Sequence, residues 1–371
     1  CLCAGFPFVG FLLSDSNKYI RYVGGLIGFV IVIAVILSQS RAGIMSIAFI
    51  CFILLNMKFF HKRWVKYLSL LCFALLLSGC YWMKKDSADG RLLIWRCSVS
   101  MVKDAPWLGH GIGSFEARYM DYQADYFRQY GLNRYSMLAD NVKHPFNEYL
   151  GVLLNFGFVG LLMILALITL LIYCYKKHPC AEKRIAFCSL ISIGVFSFFS
   201  YTFTYPFTWI VTFLCIIILT KEYIAKVFTC PIIKNTVCIF ILLCSFWGIY
   251  NLVKCVMAEK EWGDTSRLAL CGASGKTLPA YAELEKKFEN NPYNYAAILL
   301  ENKQYEESLT VALQCRKYWA DYDLELMIGE NYQELDKYEL AERYYDNASM
   351  MCPSRFLPLY KLFHLYKNMG N

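Results

Sequence analysis

Long apolar runs dominate the pattern of hydrophobic and polar positions along the chain. Runs of about 20 mostly apolar, uncharged residues recur through positions 1–256, and a helix of that length can cross a membrane. They predict seven membrane-spanning helices, at 19–38, 42–60, 64–82, 148–174, 185–204, 206–224 and 233–254. A long polar segment, 83–147, separates the third run from the fourth. The pattern therefore predicts an all-α, multi-pass membrane protein with one large helical loop.

The loop has helical patterns of its own. Leu92, Trp95 and Val99 recur at helical spacing, which predicts an amphipathic helix over 91–103 on the membrane surface. Ser114 is the expected N-cap of a second helix. That helix carries an aromatic stripe, formed by Phe115, Tyr119, Tyr122, Tyr126 and Tyr130. Two interpretations of the stripe stay open: stacking on sugar rings, and packing on the membrane surface or on other loop helices.

The chain becomes more charged from about residue 257 and carries short amphipathic patterns. Counted from Tyr322, several residues fall on the positions of a tetratricopeptide repeat: Ile328, Gly329, Tyr332, Ala341, Tyr345, Ala348 and Pro353. A shift of 33 residues pairs Tyr305 with Tyr338, which indicates a weaker preceding repeat. We therefore expect a membrane domain over 1–256 and a tetratricopeptide-like helical repeat domain over 257–371. Stacked repeats form a concave surface suited to a protein partner or an extended ligand.

The distribution of basic residues predicts the orientation in the membrane. The net charge is +8, and Lys and Arg concentrate in three short connections, within 58–63, 176–184 and 221–234. Such connections favour the cytoplasmic side, so the loop and the tail are both expected on the outer side. This distribution orients a membrane protein and does not indicate nucleic-acid binding. Because the chain opens on Cys1 inside an apolar stretch, we expect it to be a fragment that lacks earlier spans.

Three polar motifs lie on the predicted outer face before the fourth span. The sequence S-Q-S-R-A-G contains Arg41, and G-R-L-L-I-W contains Arg91. Taken singly, each arginine is also compatible with an interfacial anchor that reaches water. The third motif, P-W-L-G-H-G-I-G-S, contains His110 and Gly111. It lacks the G-x-x-x-x-G-K-[ST] pattern of a nucleotide-binding loop, so a structural turn is its default interpretation.

A fourth motif, H-P-F-N-E-Y-L, opens the fourth predicted span. Pro145 suits a first helical turn, so His144, Asn147 and Glu148 are expected to share one face of that helix. A metal site formed by His110, His144 and Glu148 is an alternative. The chain has no H-E-x-x-H motif and no C-x-x-C pair to support it.

The order and spacing of these motifs carry more information than any one of them. The series S-R-A-G, G-R-L-L-I-W, P-W-L-G-H-G-I-G-S-F and H-P-F-N-E-Y-L, followed by N-F-G-F-V-G, resembles the O-antigen ligase/polymerase family. That family includes lipopolysaccharide O-antigen ligases, some O-antigen polymerases and bacterial protein O-oligosaccharyltransferases. The resemblance covers roughly residues 19–175 and does not extend to the tail.

The resemblance implies an enzyme of the bacterial inner membrane, with its large loop and tail in the periplasm. Members transfer a glycan from undecaprenyl diphosphate to a hydroxyl acceptor, generally with inversion, and use no metal or other cofactor. It also implies residue roles. Arg41 and Arg91 match the motif arginines that bind the diphosphate, and His144 matches the motif histidine, our candidate base. Asn147 and Glu148 would hold or polarise the histidine or bind substrate.

The chain departs from many relatives at Phe146, near which they carry a second histidine. Whether His110 assists His144 therefore stays open, and His110 and Gly111 are further candidates for substrate binding. The acceptor also stays open between a lipid, a polysaccharide repeat unit and a protein hydroxyl. Two alternatives of another class are a transporter of envelope precursors and a membrane-anchored scaffold whose repeat tail recruits a protein partner.

Overall fold

The computed structural model describes residues 2–13, 15–58, 63–227, 231–270, 274–288 and 293–369, and its regular elements there are all helical. The all-α prediction is confirmed. The first nine α-helices are α1 (Leu2–Leu13), α2 (Lys18–Leu37), α3 (Arg41–Lys58), α4 (Arg63–Met83), α5 (Lys85–Asp104), α6 (Ser114–Tyr130), α7 (Glu148–Lys177), α8 (Ala181–Phe198) and α9 (Pro206–Val227). A short 3₁₀ helix, Thr202–Thr204, precedes α9. The remaining helices are α10 (Pro231–Leu270), α11 (Ser274–Phe288), α12 (Tyr293–Glu301), α13 (Tyr305–Arg316), α14 (Tyr322–Glu334), α15 (Tyr338–Met351) and α16 (Leu357–Met369).

Four segments in the described part of the chain are long and apolar enough to cross a membrane: Lys18–Leu37, Glu148–Lys177, Pro206–Lys226 and Asn235–Leu268. They make the protein a multi-pass membrane protein. The other three predicted spans coincide with α3, α4 and α8, so the total of seven stays a prediction. Residues 59–62 and 228–230, which belong to two of the predicted cytoplasmic connections, lie outside the described residues.

The chain forms two compact units. The first comprises Cys1–Trp95, Val102–Ile112 and His144–Val227. Within it, Leu171, Ala186, Cys215 and Leu219 form a core among α7, α8 and α9. Buried hydroxyls also join distant helices, since Ser46 Oγ lies 2.8 Å from Ser192 O, and Ser192 Oγ donates to Cys3 O at 2.7 Å.

Two ion pairs join the start of α8 to the end of α9. The Lys183 ammonium lies 2.5 Å from the Glu222 carboxylate, and Lys221 lies 2.9 Å from Glu182. Lys183 is fully buried, so its charge is compensated by a partner and not by water. Lys183 and Glu182 are thus paired near the start of α8, and the helix carries no charged residue after Arg184.

The second unit comprises Arg96–Met101, Gly113–Lys143 and Phe228–Asn371. In this unit, the turn between α12 and α13 has the same backbone geometry as the turn between α14 and α15. Lys303 and Asp336, which are 33 residues apart, both have a positive φ, 62° and 57°. The helices that follow these turns begin at Tyr305 and Tyr338, again 33 residues apart. This spacing agrees with the repeat predicted from the sequence, and the tetratricopeptide assignment itself stays a prediction.

Loop helix α6 packs against the repeat helices inside the second unit. Gln123 is fully buried on α6, and its amide donates to Met351 O at 2.7 Å and to Asp140 O at 3.1 Å. Arg316 of α13 pairs with Asp121 of α6 at 2.5 Å. Tyr119 is also fully buried. These contacts favour the packing interpretation of the aromatic stripe over sugar stacking.

The structure bears on two predicted boundaries, one at the start of a helix and one between domains. Ser114 is the first residue of α6, and Gly113, with φ 79°, occupies the cap, so the predicted Ser114 N-cap is wrong. Glycine takes that position because it adopts a left-handed backbone without steric cost. The predicted domain boundary at residue 257 falls inside the continuous helix α10, and the division into 1–256 and 257–371 stays a prediction.

Candidate functional site

Arg41 is the first residue of α3 and follows a tight turn in which Gln39 has a φ of 49°. Its guanidinium donates to Lys84 O at 3.0 Å and to Ser87 Oγ at 2.8 Å. These bonds hold the side chain at the start of α5. The turn between α2 and α3 therefore delivers one cation to the beginning of the loop.

Arg91 lies one turn further along α5 and is about half-buried. It donates to Phe199 O at 2.8 Å, and its guanidinium carbon lies 5.2 Å from the ring centroid of Phe146. Burial lowers the pKa of the Arg91 guanidinium, and the nearby positive charge of Arg41 lowers it further. Two arginines held this close destabilise each other unless an anion compensates them.

Both arginines line one cavity of about 210 Å³. The other residues that line it are mostly apolar: Met45, Tyr81, Ala88, Leu92, Trp95 and Phe199. Clefts that enclose a whole drug-sized ligand measure roughly 300–1,000 Å³, so this cavity suits a compact anionic group better than an entire oligosaccharide. The low-polarity walls strengthen the attraction between a guanidinium and such an anion.

His144 precedes the helix that the sequence placed it on. Helix α7 begins at Glu148, Asn147 is its N-cap, and the Asn147 side chain accepts a hydrogen bond from Leu150 N at 3.1 Å. Phe146, at φ 52°, turns the chain just before the cap. The predicted helical face shared by His144, Asn147 and Glu148 is therefore wrong, because Pro145 and Phe146 form a turn and not a first helical turn.

Trp95 holds the turn that contains His144 beside α5. The Trp95 indole donates to Pro145 O at 3.0 Å. Trp95 and Arg91 are one helical turn apart on α5, so Arg91 and the His144–Pro145 turn meet the same face of that helix. The structure thus brings Arg41, Arg91 and His144 to one region of the first unit.

Sequence reasoning missed the segment Phe199–Tyr205, which contacts three of the predicted site residues. Phe199 O accepts from Arg91, and the Tyr201 ring lies 4.8 Å from the His144 ring, centroid to centroid. Phe203 N donates to Glu148 Oε1 at 2.7 Å. The aromatic residues of Phe199–Tyr205 did not mark this segment as part of a site in the sequence, because aromatic side chains are common at the ends of membrane spans.

The glycine-rich motif lies against a break in α7. Gly157, at φ 61° and ψ −158°, interrupts the helix. His110 N and Gly111 N donate to Leu154 O and Asn155 O at 2.8 and 3.1 Å. Phe158 N and Val159 N donate to carbonyls of residues 106 and 107, so backbone groups left open by the break are paired.

These bonds give the motif a structural role. The His110 backbone meets α7 at Leu154, six residues or about 9 Å along the helix from Glu148. The proposed part of His110 and Gly111 in substrate binding stays a prediction. Among the described residues, no group of three or more His, Cys, Asp or Glu side chains could hold a metal ion, so His110, His144 and Glu148 do not form one.

Residues 26–165 match the family model described as O-antigen ligase. This match supports the resemblance of that part of the chain to the O-antigen ligase family. No curated protein and no solved structure matches the chain. The match to the O-antigen ligase family includes Arg41, Arg91, His144, Asn147 and Glu148, and it ends before Phe199–Tyr205 and before the repeat tail.

The match to the O-antigen ligase family supports a glycosyltransferase activity of the ligase or polymerase type. It leaves the donor, the acceptor and the mechanism to be argued from the site.

Proposed function

We propose that the protein transfers a glycan from an undecaprenyl-diphosphate carrier to a hydroxyl acceptor at the periplasmic face of the bacterial inner membrane. The observation that carries the proposal is the shared cavity lined by Arg41 and Arg91. A diphosphate is compact and carries more than one negative charge, so it matches two neighbouring guanidinium groups. The acceptor classes are a lipid, a polysaccharide repeat unit and a protein.

Both arginines keep donors for such an anion. A guanidinium has five N–H donors. Arg41 makes two hydrogen bonds to Lys84 and Ser87, and Arg91 makes one to Phe199 O. The fixed fork of the guanidinium suits bidentate bonds to phosphate oxygens, which become more favourable as negative charge develops on the leaving group.

His144 is the candidate base. In the proposed reaction, the acceptor oxygen attacks the anomeric carbon as its proton passes to the imidazole. The bond between the anomeric carbon and the diphosphate oxygen breaks, and undecaprenyl diphosphate leaves with the bonding electron pair. An attack opposite the leaving group inverts the anomeric carbon. Imidazole suits this role because it accepts and releases protons near neutral pH.

Asn147 and Glu148 support His144 from the start of α7. Asn147 caps the helix, and Glu148 accepts a hydrogen bond from Phe203 N. Both residues fix the turn that contains His144. The charge on the leaving group is met by arginines in this scheme, so the reaction needs neither a metal ion nor another cofactor.

The length of α7 supports a reaction at the level of the lipid headgroups. Lys176 and Lys177 end the helix. Counting back about 20 residues, which cross roughly 30 Å of hydrocarbon, puts the outer boundary near residue 156. Glu148 then lies about 12 Å above it at 1.5 Å per residue. A carrier whose tail stays in the bilayer presents its diphosphate near that height.

A transporter of envelope precursors is the main alternative of another class. Transporters place ionisable residues within their spans. The described apolar spans α2 and α7 have no charged residue between their terminal turns, whereas Arg41, Arg91 and His144 gather at helix ends. This distribution favours chemistry at the membrane surface over passage through the bundle.

The test is glycan transfer in membranes that contain wild type, Arg41→Ala, Arg91→Ala or His144→Ala at equal abundance. We expect each substitution to reduce transfer from a diphosphate-linked donor by roughly a hundredfold or more. Full transfer by His144→Ala would contradict its assignment as the base. Transfer that a chelator abolishes and a divalent ion restores would contradict the metal-independent scheme.

A further inference from the structure

The segment Phe199–Tyr205 touches the site at three points, although it lies outside the part of the chain that matches the family. Phe199 O accepts a hydrogen bond from the Arg91 guanidinium, the Tyr201 ring contacts the His144 ring, and Phe203 N donates to the Glu148 carboxylate. One short connection between α8 and α9 therefore reaches the anion-binding side and the histidine side of the site.

We propose that Tyr201 is a positioning residue, which holds the His144 imidazole in its working orientation. The proposal rests on the function proposed above. The two ring centroids lie 4.8 Å apart and the ring planes make an angle of 31°, which is a tilted ring–ring contact. Tyr201 also meets the Phe146 ring edge-on at 5.4 Å, so it braces both sides of Pro145.

His144 needs such a brace because it lies outside α7. A side chain on a helix is restricted by the turn before it, but His144 belongs to the non-helical turn that precedes the Asn147 cap. Contact with a flat ring restricts the tilt of the imidazole while leaving its edge, where both nitrogens lie, open to an acceptor. Tyr201 thus sets the orientation of the His144 imidazole without occupying the position of the acceptor.

The segment that carries Tyr201 is itself fixed. The Trp209 indole donates to Phe203 O at 2.7 Å, and Tyr205 stacks on Tyr201 at 6.1 Å and 28°. Thr202 is buried. A brace must be more rigid than the group it orients, and these contacts supply that rigidity.

The first measurement is steady-state transfer by Tyr201→Leu and Tyr201→Phe. Leucine removes the flat face, and we expect kcat to fall roughly ten- to a hundredfold, as for a small misplacement of a reacting group, with KM for the donor within about threefold. Phenylalanine keeps the face and should restore kcat to within about threefold of wild type. The matched control is Tyr318→Leu on the exposed surface of the second unit, which should behave as wild type.

Two outcomes of the transfer assay would overturn the proposal. Tyr201→Leu could keep its kcat, with or without a higher KM, or Tyr201→Phe could be as impaired as Tyr201→Leu. The last result would assign the role to the hydroxyl and not to the ring. Should Tyr201→Leu lose its folded peak in size-exclusion chromatography, Tyr201→Met, with an unbranched side chain, takes its place in every measurement.

A second measurement tests the brace without using catalysis. Diethyl pyrocarbonate modifies exposed histidines, and peptide mass spectrometry follows each of the five separately. His144 should react several-fold faster in Tyr201→Leu than in wild type or Tyr201→Phe, while His178 and His364 keep their rates. An unchanged His144 rate would overturn the proposal. Absence of glycan transfer by wild type with a normal labelling pattern would instead overturn only the proposed function.

Discussion

At the scale of single residues, Arg41 and Arg91 show what a sequence motif does and does not predict. The motif identifies the residue types, and the chemistry of a guanidinium predicts an anion. It does not predict the partners, because Lys84, Ser87 and Phe199 contribute through a backbone carbonyl or a single hydroxyl. Backbone carbonyls exist at every position, so nothing in the sequence distinguishes the two, Lys84 O and Phe199 O, that orient a guanidinium.

The histidine shows a related limit. His144 lies two residues before Phe146, whose ring contacts Arg91, and its predicted helical placement was wrong. A proline suits a first helical turn and equally a preceding turn. The positive φ of Phe146 shows that the proline lies in a turn before the helix. A phenylalanine in the sequence does not predict a positive φ, which is uncommon for residues other than glycine.

Replacing Arg91 by Lys tests whether geometry or charge matters at this position. A lysine keeps the positive charge but lacks the planar guanidinium, which can donate to Phe199 O and form bidentate hydrogen bonds to a diphosphate at the same time. We expect kcat/KM for the donor to fall about tenfold or more, and Arg91→Gln to lose about a hundred- to a thousandfold. Arg343→Lys, on the exposed part of α15, is the control. A fully active Arg91→Lys enzyme would show that a point charge suffices.

At the scale of elements, the break in α7 joins a loop to a membrane helix. The apolar run over 148–174 predicted α7 well, since the observed helix is Glu148–Lys177. The break was not predicted, because a glycine within an apolar span is common and most such glycines stay helical. Its cause lies elsewhere in the chain, in the backbone bonds from residues 106–111.

Gly157→Ala should therefore destabilise the protein. The backbone of Gly157 lies in a region that is nearly exclusive to glycine, and an added Cβ would collide with the carbonyl of Trp107. The conformational cost alone is about 1–3 kcal/mol. We expect a lower melting temperature in detergent and a parallel loss of transfer.

Gly248→Ala is the matched control for this experiment. Gly248 lies within the membrane segment of α10, and a Cβ there meets no atom within 4 Å. Its melting temperature should be unchanged or slightly higher, because alanine favours a helix more than glycine does. A Gly157→Ala protein as stable as this control would contradict the structural role of the break.

At the scale of the whole molecule, the second unit constrains the topology. It contains both loop residues, Gly113–Lys143, and tail residues, so we expect loop and tail to lie on the same side of the membrane. An even number of crossings must then separate them. The candidate spans in α7, α9 and α10 supply three, so we expect α8 to be the fourth, although residues 182–184 near its start are charged. The pairing of Lys183 and Glu182 with α9 leaves the apolar part of α8 free to cross.

Reporter fusions test whether an even number of membrane crossings separates the loop from the tail. Fusions after Tyr130 and after Met369 should both be active with alkaline phosphatase, which folds only outside the cytoplasm. A fusion after His178 should be active only with green fluorescent protein. Opposite results for Tyr130 and Met369 would show that the loop and the tail do not share a side.

The two-unit organisation was only partly accessible from the sequence. The repeat spacing and the large loop were both visible, because each leaves a periodic pattern. That α6 packs on the repeats depends on contacts such as Gln123 with Met351 O, between residues more than 200 positions apart. A periodic hydrophobic pattern shows that a helix has an apolar face that is buried, but it does not predict which element packs against that face.

The central claim is that the protein cleaves the bond between a glycan and its lipid diphosphate and attaches the glycan to a hydroxyl. The most direct measurement counts both products with purified protein, a purified undecaprenyl-diphosphate-linked glycan and an acceptor, in the presence of a chelator. We predict one undecaprenyl diphosphate released for each glycan attached, and neither product with Arg41→Ala/Arg91→Ala protein. Intact lipid-linked glycan that crosses vesicle membranes without cleavage would contradict the account and identify a transporter.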